Sequence, residues 1–176
     1  SKEKVSSDPN HYLNQIDWGA RPGIMLYGYH SDSNYAGISL KPVMSLESEI
    51  VSIRKIPMGQ SVSYGATWVA ERNSLIAVVQ LGYADGIHRL LSNHSEVVIH
   101  EEKFPLIGTV CMDHFMVDIT RSKKQISQGD KVLIFGKKGD YYYGADQIAR
   151  FAKTISYEIL TSVSQRVPRT LEGENK

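Results

Sequence analysis

Three observations in the sequence predict a mainly β fold closed by terminal helices. After residue 40, short apolar runs recur with turn signals between them, the spacing of a sandwich or barrel rather than of βαβ units. Near the end the apolar residues change to a helical period. The composition is that of an ordinary folded chain, with 176 residues of which 41% are hydrophobic and 22% charged. That is enough for one well-buried core.

Taken in order, the first ten residues are mostly polar and end in Asp8, Pro9 and Asn10, a loop composition. The chain reads as if cut from something longer. Residues 16–27 mix apolar side chains with Gly and Pro, which suits a tight turn feeding a short buried strand that Gly28 ends. The polar stretch over 30–37 reads as a linker, with a domain boundary near Leu40. Strands are expected over 44–56, 61–64, 75–81, 96–100, 104–110, 115–119 and 131–135. Turns are expected at Pro57-Met58-Gly59, Ala84-Asp85-Gly86, Gln128-Gly129-Asp130 and over 136–140, where Pro, Gly and Asp reverse a chain. In the first strand the apolar set shifts from Met44, Leu46 and Ile50 to Val51 and Ile53, as a bulge or two covered faces would require. Ile148, Phe151, Ala152, Ile155, Ile159 and Val163 share one side of a helix, or of two short helices broken near Thr154. Asp146 and Lys153 suit the helix dipole, and a polar tail over 171–176 follows.

Charge and cysteine usage exclude several classes. Lys+Arg 20 against Asp+Glu 19 leaves a formal charge of +1, so there is no bulk attraction to nucleic acid or anionic lipid. The single cysteine, Cys111, has no second thiol with which to form a disulfide or share a zinc. No apolar run approaches the roughly 20 residues of a membrane span, and the first residues lack the apolar centre of a signal peptide. A soluble, cytoplasmic protein is expected.

Read singly, the chemistry-bearing residues are ordinary. His88, His94, His100 and His114 lack regular ligand spacing and His30 falls in the linker, so no metal site is expected. Lys137-Lys138, with Arg150 and Lys153, reads as a soluble hairpin tip rather than a phosphate site. There is no Gly-x-Gly-x-x-Gly or P-loop pattern. Tyr64 alone is one of 10 tyrosines finishing a strand.

Four segments stand out together: Arg21-Pro22-Gly23-Ile24 with Tyr27-Gly28, Val62-Ser63-Tyr64-Gly65-Ala66-Thr67, Gly82-Tyr83-Ala84-Asp85-Gly86 with Arg89, and Gly108-Thr109-Val110-Cys111-Met112-Asp113. With Ile155-Ser156-Tyr157-Glu158-Ile159-Leu160 and Arg166-Val167-Pro168-Arg169, they resemble the C-terminal half of alanine racemases, from about Arg21 onward. The resemblance implies a Greek-key-like β-barrel domain over 38–170, preceded over 1–37 by the end of a (β/α)8 barrel that is otherwise absent from this chain. It also implies pyridoxal 5'-phosphate as cofactor.

Racemisation removes a proton from one face of the α-carbon and returns one to the other, so two acid/base groups are needed. The resemblance assigns the D-face base to a lysine of the absent barrel and the L-face base to Tyr64. A tyrosine of pKa near ~10 needs donors or positive charge to act near neutrality. By the same resemblance Arg21 donates to the cofactor's pyridine nitrogen and limits its protonation. Gly23 and Ile24 offer amides, and Tyr157 its hydroxyl, to the phosphate. Met112 offers its amide to the substrate carboxylate, and Asp113 organises that segment. Tyr83 narrows the access passage, with Asp85 and Arg89 nearby. Thr109 departs from the arginine often found before the Cys-Met-Asp segment, which leaves the passage's charge open.

In this family Tyr64 and Met112 reach into a partner's barrel while Arg21 and Tyr157 serve their own, so a homodimer is implied and exposed apolar surface is expected. The expected reaction interconverts L- and D-alanine, supplying D-alanine to the bacterial cell-wall peptidoglycan, and the chain alone is expected to be inactive. The competing readings are a serine or broad-specificity racemase, an amino-acid decarboxylase, and a non-catalytic β-barrel module binding RNA. The last calls for a basic, aromatic-studded face that the charge does not favour.

Overall fold

Strand β1 (Leu46–Ile56) changes partners half-way along, and that exchange closes the sheet. Residues 46–49 pair antiparallel with β8 (Lys131–Lys138), and residues 50–56 pair antiparallel with β4 (Ser74–Val79). The register shifts between Ile50 and Ser52, where the apolar set changes parity. The ring continues through β7 (Phe115–Asp118), β6 (Glu102–Ile107) and β5 (Glu96–Ile99) back to β8, making a closed six-stranded barrel. Closure pairs each of these six strands on both sides along part of its length. The computed structural model describes residues 19, 21–30, 39–139 and 141–171. The expected polar N-terminus, the linker beyond His30 and the tail beyond Leu171 lie outside the described residues, and no (β/α)8 barrel is found among the residues described.

Alternation along the strands builds two cores of unequal size. Inward positions such as Val79, Val97, Ile99, Phe115, Val117 and Phe135 are fully buried in one large cluster. Outward positions Ile76, Ile107 and Met116 are buried as well, because the hairpin of β2 (Ser61–Val62) and β3 (Trp68–Val69) covers them through Val62. This second covering explains why residues 75–79 read as an unbroken apolar run. Each fully buried Val or Ile contributes roughly 1.5–3 kcal/mol, so this small outer cluster is enough to seat the hairpin.

Helix α1 (Ala145–Ala152) buries Ala145, Ile148, Ala149 and Ala152, and α2 (Ser156–Ser162) buries Ile159 and Leu160. The break falls at Lys153, which takes the left-handed conformation and returns its amide to the carbonyls of Ala149 and Arg150. Strand β9 (Tyr141–Tyr143) extends the sheet from β8.

Several sequence expectations are corrected. The short strand expected to end at Tyr27 is instead a 3-10 helix, Gly23–Tyr27. Pro22 already sits in the right-handed helical region, for which its ring fixes φ. The strand over 61–64 stops at Val62, because Ser63 turns to φ 69° and leaves the ladder. The turn expected from Gly136 is delayed: β8 runs on to Lys138, with Ser45 Oγ accepting from the Lys137 amide and donating to its carbonyl.

Candidate active site

Tyr64 stands at the tip of the β2–β3 hairpin, where backbone strain is concentrated. Ser63 (φ 69°, ψ 178°), Gly65 (φ 75°) and Ala66 (φ 47°) all have positive φ. The Ser63 conformation is one that costs of order 1–3 kcal/mol and persists only when its surroundings over-determine it. Those surroundings are the segment over 108–111. Ser63 Oγ donates to the Thr109 carbonyl at 2.6 Å, and Thr109 Oγ1 donates to the Tyr64 carbonyl at 2.9 Å. Gly108 has φ 69°, and a Cβ there would stand 2.8 Å from Ser63 Cβ. The result is a phenol side chain 74% exposed, held by its own backbone. It lines an apolar cavity of about 710 Å³ with Val62, Cys111 and Met116 on its floor and the basic side chains of Arg54 and His114 in its wall.

The Met112 and Tyr83 loops lock together. The amides of Tyr83 and Ala84 donate to the carbonyls of Cys111 and Met112, both at 3.0 Å. Gly82 is obligatory here, since a Cβ would fall 2.2 Å from the Met112 carbonyl oxygen. Met112 is 52% exposed, and among the described residues its own amide donates to nothing. Asp85, only 8% exposed, turns inward: Oδ2 accepts from the Gly82 amide and Oδ1 lies 3.3 Å from Arg166 Nε. Arg166 Nη2 then donates to Asp113 Oδ1 at 2.6 Å, and this bond, with the Asp85 charge, pushes the guanidinium pKa up. Asp85 therefore ties the loop internally, and Tyr83 and Arg89 are the members of this group that face outward.

A second cavity, about 570 Å³, is lined by Gly23, Ile24, Tyr27, Tyr157, Thr161 and Arg169, among others. The first amides of the 3-10 helix have no acceptor within it, and the Tyr157 hydroxyl and Arg169 guanidinium share the same wall. Arg169 is held by donating to the carbonyls of Val163, Ser164 and Val167, and it is the one charged side chain in the lining. Such a donor set suits an anion. Arg21 is exposed two residues before Gly23 and lines neither cavity. The two cavities share no residue, and no lysine lines either.

The family described as alanine racemase, C-terminal domain, matches residues 43–171. This chain belongs to that family. Among curated relatives, the alanine racemase of Clostridium novyi is 44% identical over 96% of this chain and 46% of its own length. That of Halothermothrix orenii is 44% identical over 89% of this chain and 41% of its own. The racemase domain therefore spans less than half the length of these bacterial relatives. Among solved structures, the alanine racemase of Bacillus anthracis with bound L-Ala-P superposes with a TM-score of 0.79 at 34% identity, covering 88% of this chain and 40% of that one. The Bartonella henselae enzyme with covalently bound pyridoxal phosphate gives 0.77 at 33% identity, covering 85% and 40%.

Within the racemase domain, Gly23, Ile24 and Tyr157 converge on one cavity, and Tyr64 lies on the other. Sequence reasoning missed Asn93, Thr67, Arg54 and Arg169 as parts of these sites. Arg169 and Thr67 each carried a signal, in the Arg-Val-Pro-Arg and Val-Ser-Tyr-Gly-Ala-Thr segments, but Asn93 carried none, because only the fold brings residues 67, 93 and 109 together.

Proposed function

We propose that this chain forms the C-terminal part of a pyridoxal-phosphate alanine racemase in which Tyr64 removes and returns the α-proton on the L-face of the substrate. The observation that carries this reading is the placement of a phenol, three-quarters exposed, on a turn fastened at both ends, beside a cavity with basic side chains in its wall. A structural tyrosine would be packed. Exposure on a rigid mount suits a group that must meet a reactant from elsewhere.

Met112 offers its unpaired amide to the substrate carboxylate, and Asp113 with Arg166 fixes that amide's direction. The amides of Gly23 and Ile24, the Tyr157 hydroxyl and the Arg169 charge fit a phosphate, and Arg21 just before them is assigned to the pyridine nitrogen. When bound, the cofactor draws charge from the α-carbon and so makes its proton removable. Tyr83 and Arg89 border the approach. The lysine that holds the cofactor and serves the D-face is assigned to a barrel domain that is not part of this chain.

Because the Tyr64 cavity and the Tyr157 cavity have no residue in common, we assign them to different catalytic centres, so that two copies complete each centre. The exposed Tyr64, Met112, Tyr83, Leu90 and Val69 supply the apolar surface for that contact. The likeness to bacterial alanine racemases supports a role in supplying D-alanine for the cell wall; we assign that role to the cytoplasm and infer that this chain alone is inactive, because the cofactor lysine is assigned to a domain it does not contain.

The test is Tyr64→Phe in the complete polypeptide that carries this chain. Racemisation falls by about a thousandfold, within the range of a lost acid/base group. In heavy water, α-hydrogen exchange of D-alanine persists while that of L-alanine stops. Undiminished L-to-D conversion overturns the reading.

A further inference from the structure

Residues 67, 93 and 109 lie far apart in sequence, yet their side chains form one directed line of hydrogen bonds that ends on the backbone of Tyr64. Asn93 Nδ2 donates to Thr67 Oγ1 at 3.0 Å. The hydroxyl proton of Thr109 is committed to the Tyr64 carbonyl at 2.9 Å. The 3.4 Å contact between the two threonine hydroxyls therefore has Thr67 as donor and Thr109 as acceptor. Every proton along the line points the same way, from the amide of Asn93 to the carbonyl of Tyr64. Such a series polarises and strengthens each member.

The far end of the line is anchored as well. Asn93 Oδ1 accepts from the Gly108 amide at 2.6 Å, and Ser92 Oγ accepts from that of Val110 at 3.0 Å. Asn93 itself takes φ 62°, a conformation asparagine tolerates better than most residues. Asn93 thus grips both segments that cross at the active turn, one by each end of its amide. Ser63 and Ala66, the two non-glycine residues of the turn at positive φ, would relax without that grip.

We propose that Asn93, Thr67 and Thr109 are positioning residues of the racemase, setting where the Tyr64 phenol stands. The proposal rests on the assignment of Tyr64 as L-face base. Thr109 thereby acquires a role within this turn, holding the carbonyl of Tyr64. A hydroxyl suffices for the role, and a methyl in its place does not.

The experiment measures turnover and α-deuterium isotope effects in both directions for Thr109→Val, Thr109→Ser and Thr67→Val in the complete polypeptide, with Tyr64→Phe alongside. A misplaced base slows the proton step it carries by up to about 10²-fold. Thr109→Val is expected to lower kcat about ten- to a hundredfold with KM changed less than about threefold. The isotope effect on L-alanine rises, because removal by Tyr64 becomes slower, while that on D-alanine falls. Thr109→Ser restores kcat to within about threefold. Thr67 is exposed, so Thr67→Val folds whatever Thr109→Val does, and it shifts both isotope effects in the same directions by a smaller amount.

Wild-type isotope effects in Thr67→Val and Thr109→Val, or equal loss in Thr109→Val and Thr109→Ser, overturn the proposal. If Tyr64→Phe is inactive in those cases, only the positioning line falls. If Tyr64→Phe racemises normally, the assignment of Tyr64 falls first and takes this inference with it.

Discussion

Ser63 and Gly108 meet where two distant segments cross, and the gap between them leaves no room for a side chain on the glycine. A Cβ on Gly108 would stand 2.8 Å from Ser63 Cβ and 2.9 Å from the Val62 carbonyl oxygen, on a backbone of φ 69°. Both neighbours belong to the turn that presents Tyr64. Gly108→Ala is expected to cost about 2–3 kcal/mol in unfolding free energy, from the disfavoured φ and the forced shift of residues 62–63. Urea denaturation measures it, and an unchanged midpoint refutes it.

The two carboxylates on Arg166 differ in burial, so their removal should differ in cost. Asp85→Ala strands the buried Gly82 amide, which costs about 1–3 kcal/mol. Asp113 is about half exposed, and Asp113→Ala costs less than about 1 kcal/mol. Asp113→Ala nonetheless raises KM for alanine, because the Met112 amide loses its brace. Chemical denaturation and steady-state kinetics on the same pair of variants separate the two effects.

Tyr157→Phe removes one hydroxyl from the wall of the cavity assigned to the phosphate. Loss of one hydrogen bond to a charged group is worth about 1.5–3 kcal/mol, so cofactor affinity should weaken by roughly ten- to a hundredfold. Equilibrium dialysis of the complete polypeptide reads this without any activity assay. Retention of full affinity removes Tyr157 from the phosphate site.

Burial pushes the phenol of Tyr143 well above the ordinary tyrosine range, with the charge of Glu96 as a second cause. In the unfolded chain this group ionises near pH ~10. The folded state keeps its proton there, so stability is intact below about pH 10 and is lost as pH rises beyond it, by at most about 1.4 kcal/mol per pH unit for each such group. Tyr143→Phe flattens that slope. Thermal unfolding between pH 8 and 11, on the order of the range spanned by the tyrosine pKa, checks both curves.

The sequence revealed the β-domain where short apolar runs are separated by turn signals and the helices where apolar residues repeat every three to four. The parity change between Ile50 and Val51 read as a bulge or two covered faces, and a register shift does fall between Ile50 and Ser52; that β1 also exchanges partners there was not legible, since pairing with β8 is a contact about 85 positions away. The two-residue strands β2 and β3 were illegible as a pair, since a ladder that short has no period. The 3-10 helix at Gly23 hid behind a Gly-Pro composition that reads equally well as a turn. At the site, Tyr64, Met112 and Tyr157 were singled out by their flanking motifs, and their proposed roles rest on the resemblance those motifs carry. The pairing of Asp85 with Arg166 and the grip of Asn93 on Gly108 are contacts between residues 81 and 15 positions apart, which no local pattern encodes.

The proposed assignment of the Tyr64 and Tyr157 cavities to different centres of a dimer has a genetic corollary. On that assignment, two alleles, one lacking the phenol at position 64 and the other the hydroxyl at position 157, damage opposite halves of different centres. Mixed in one cell, they would assemble hybrids in which one of two centres is wholly intact. Each defect would thus be rescued by the other, whereas two alleles altered in the same cavity would not complement.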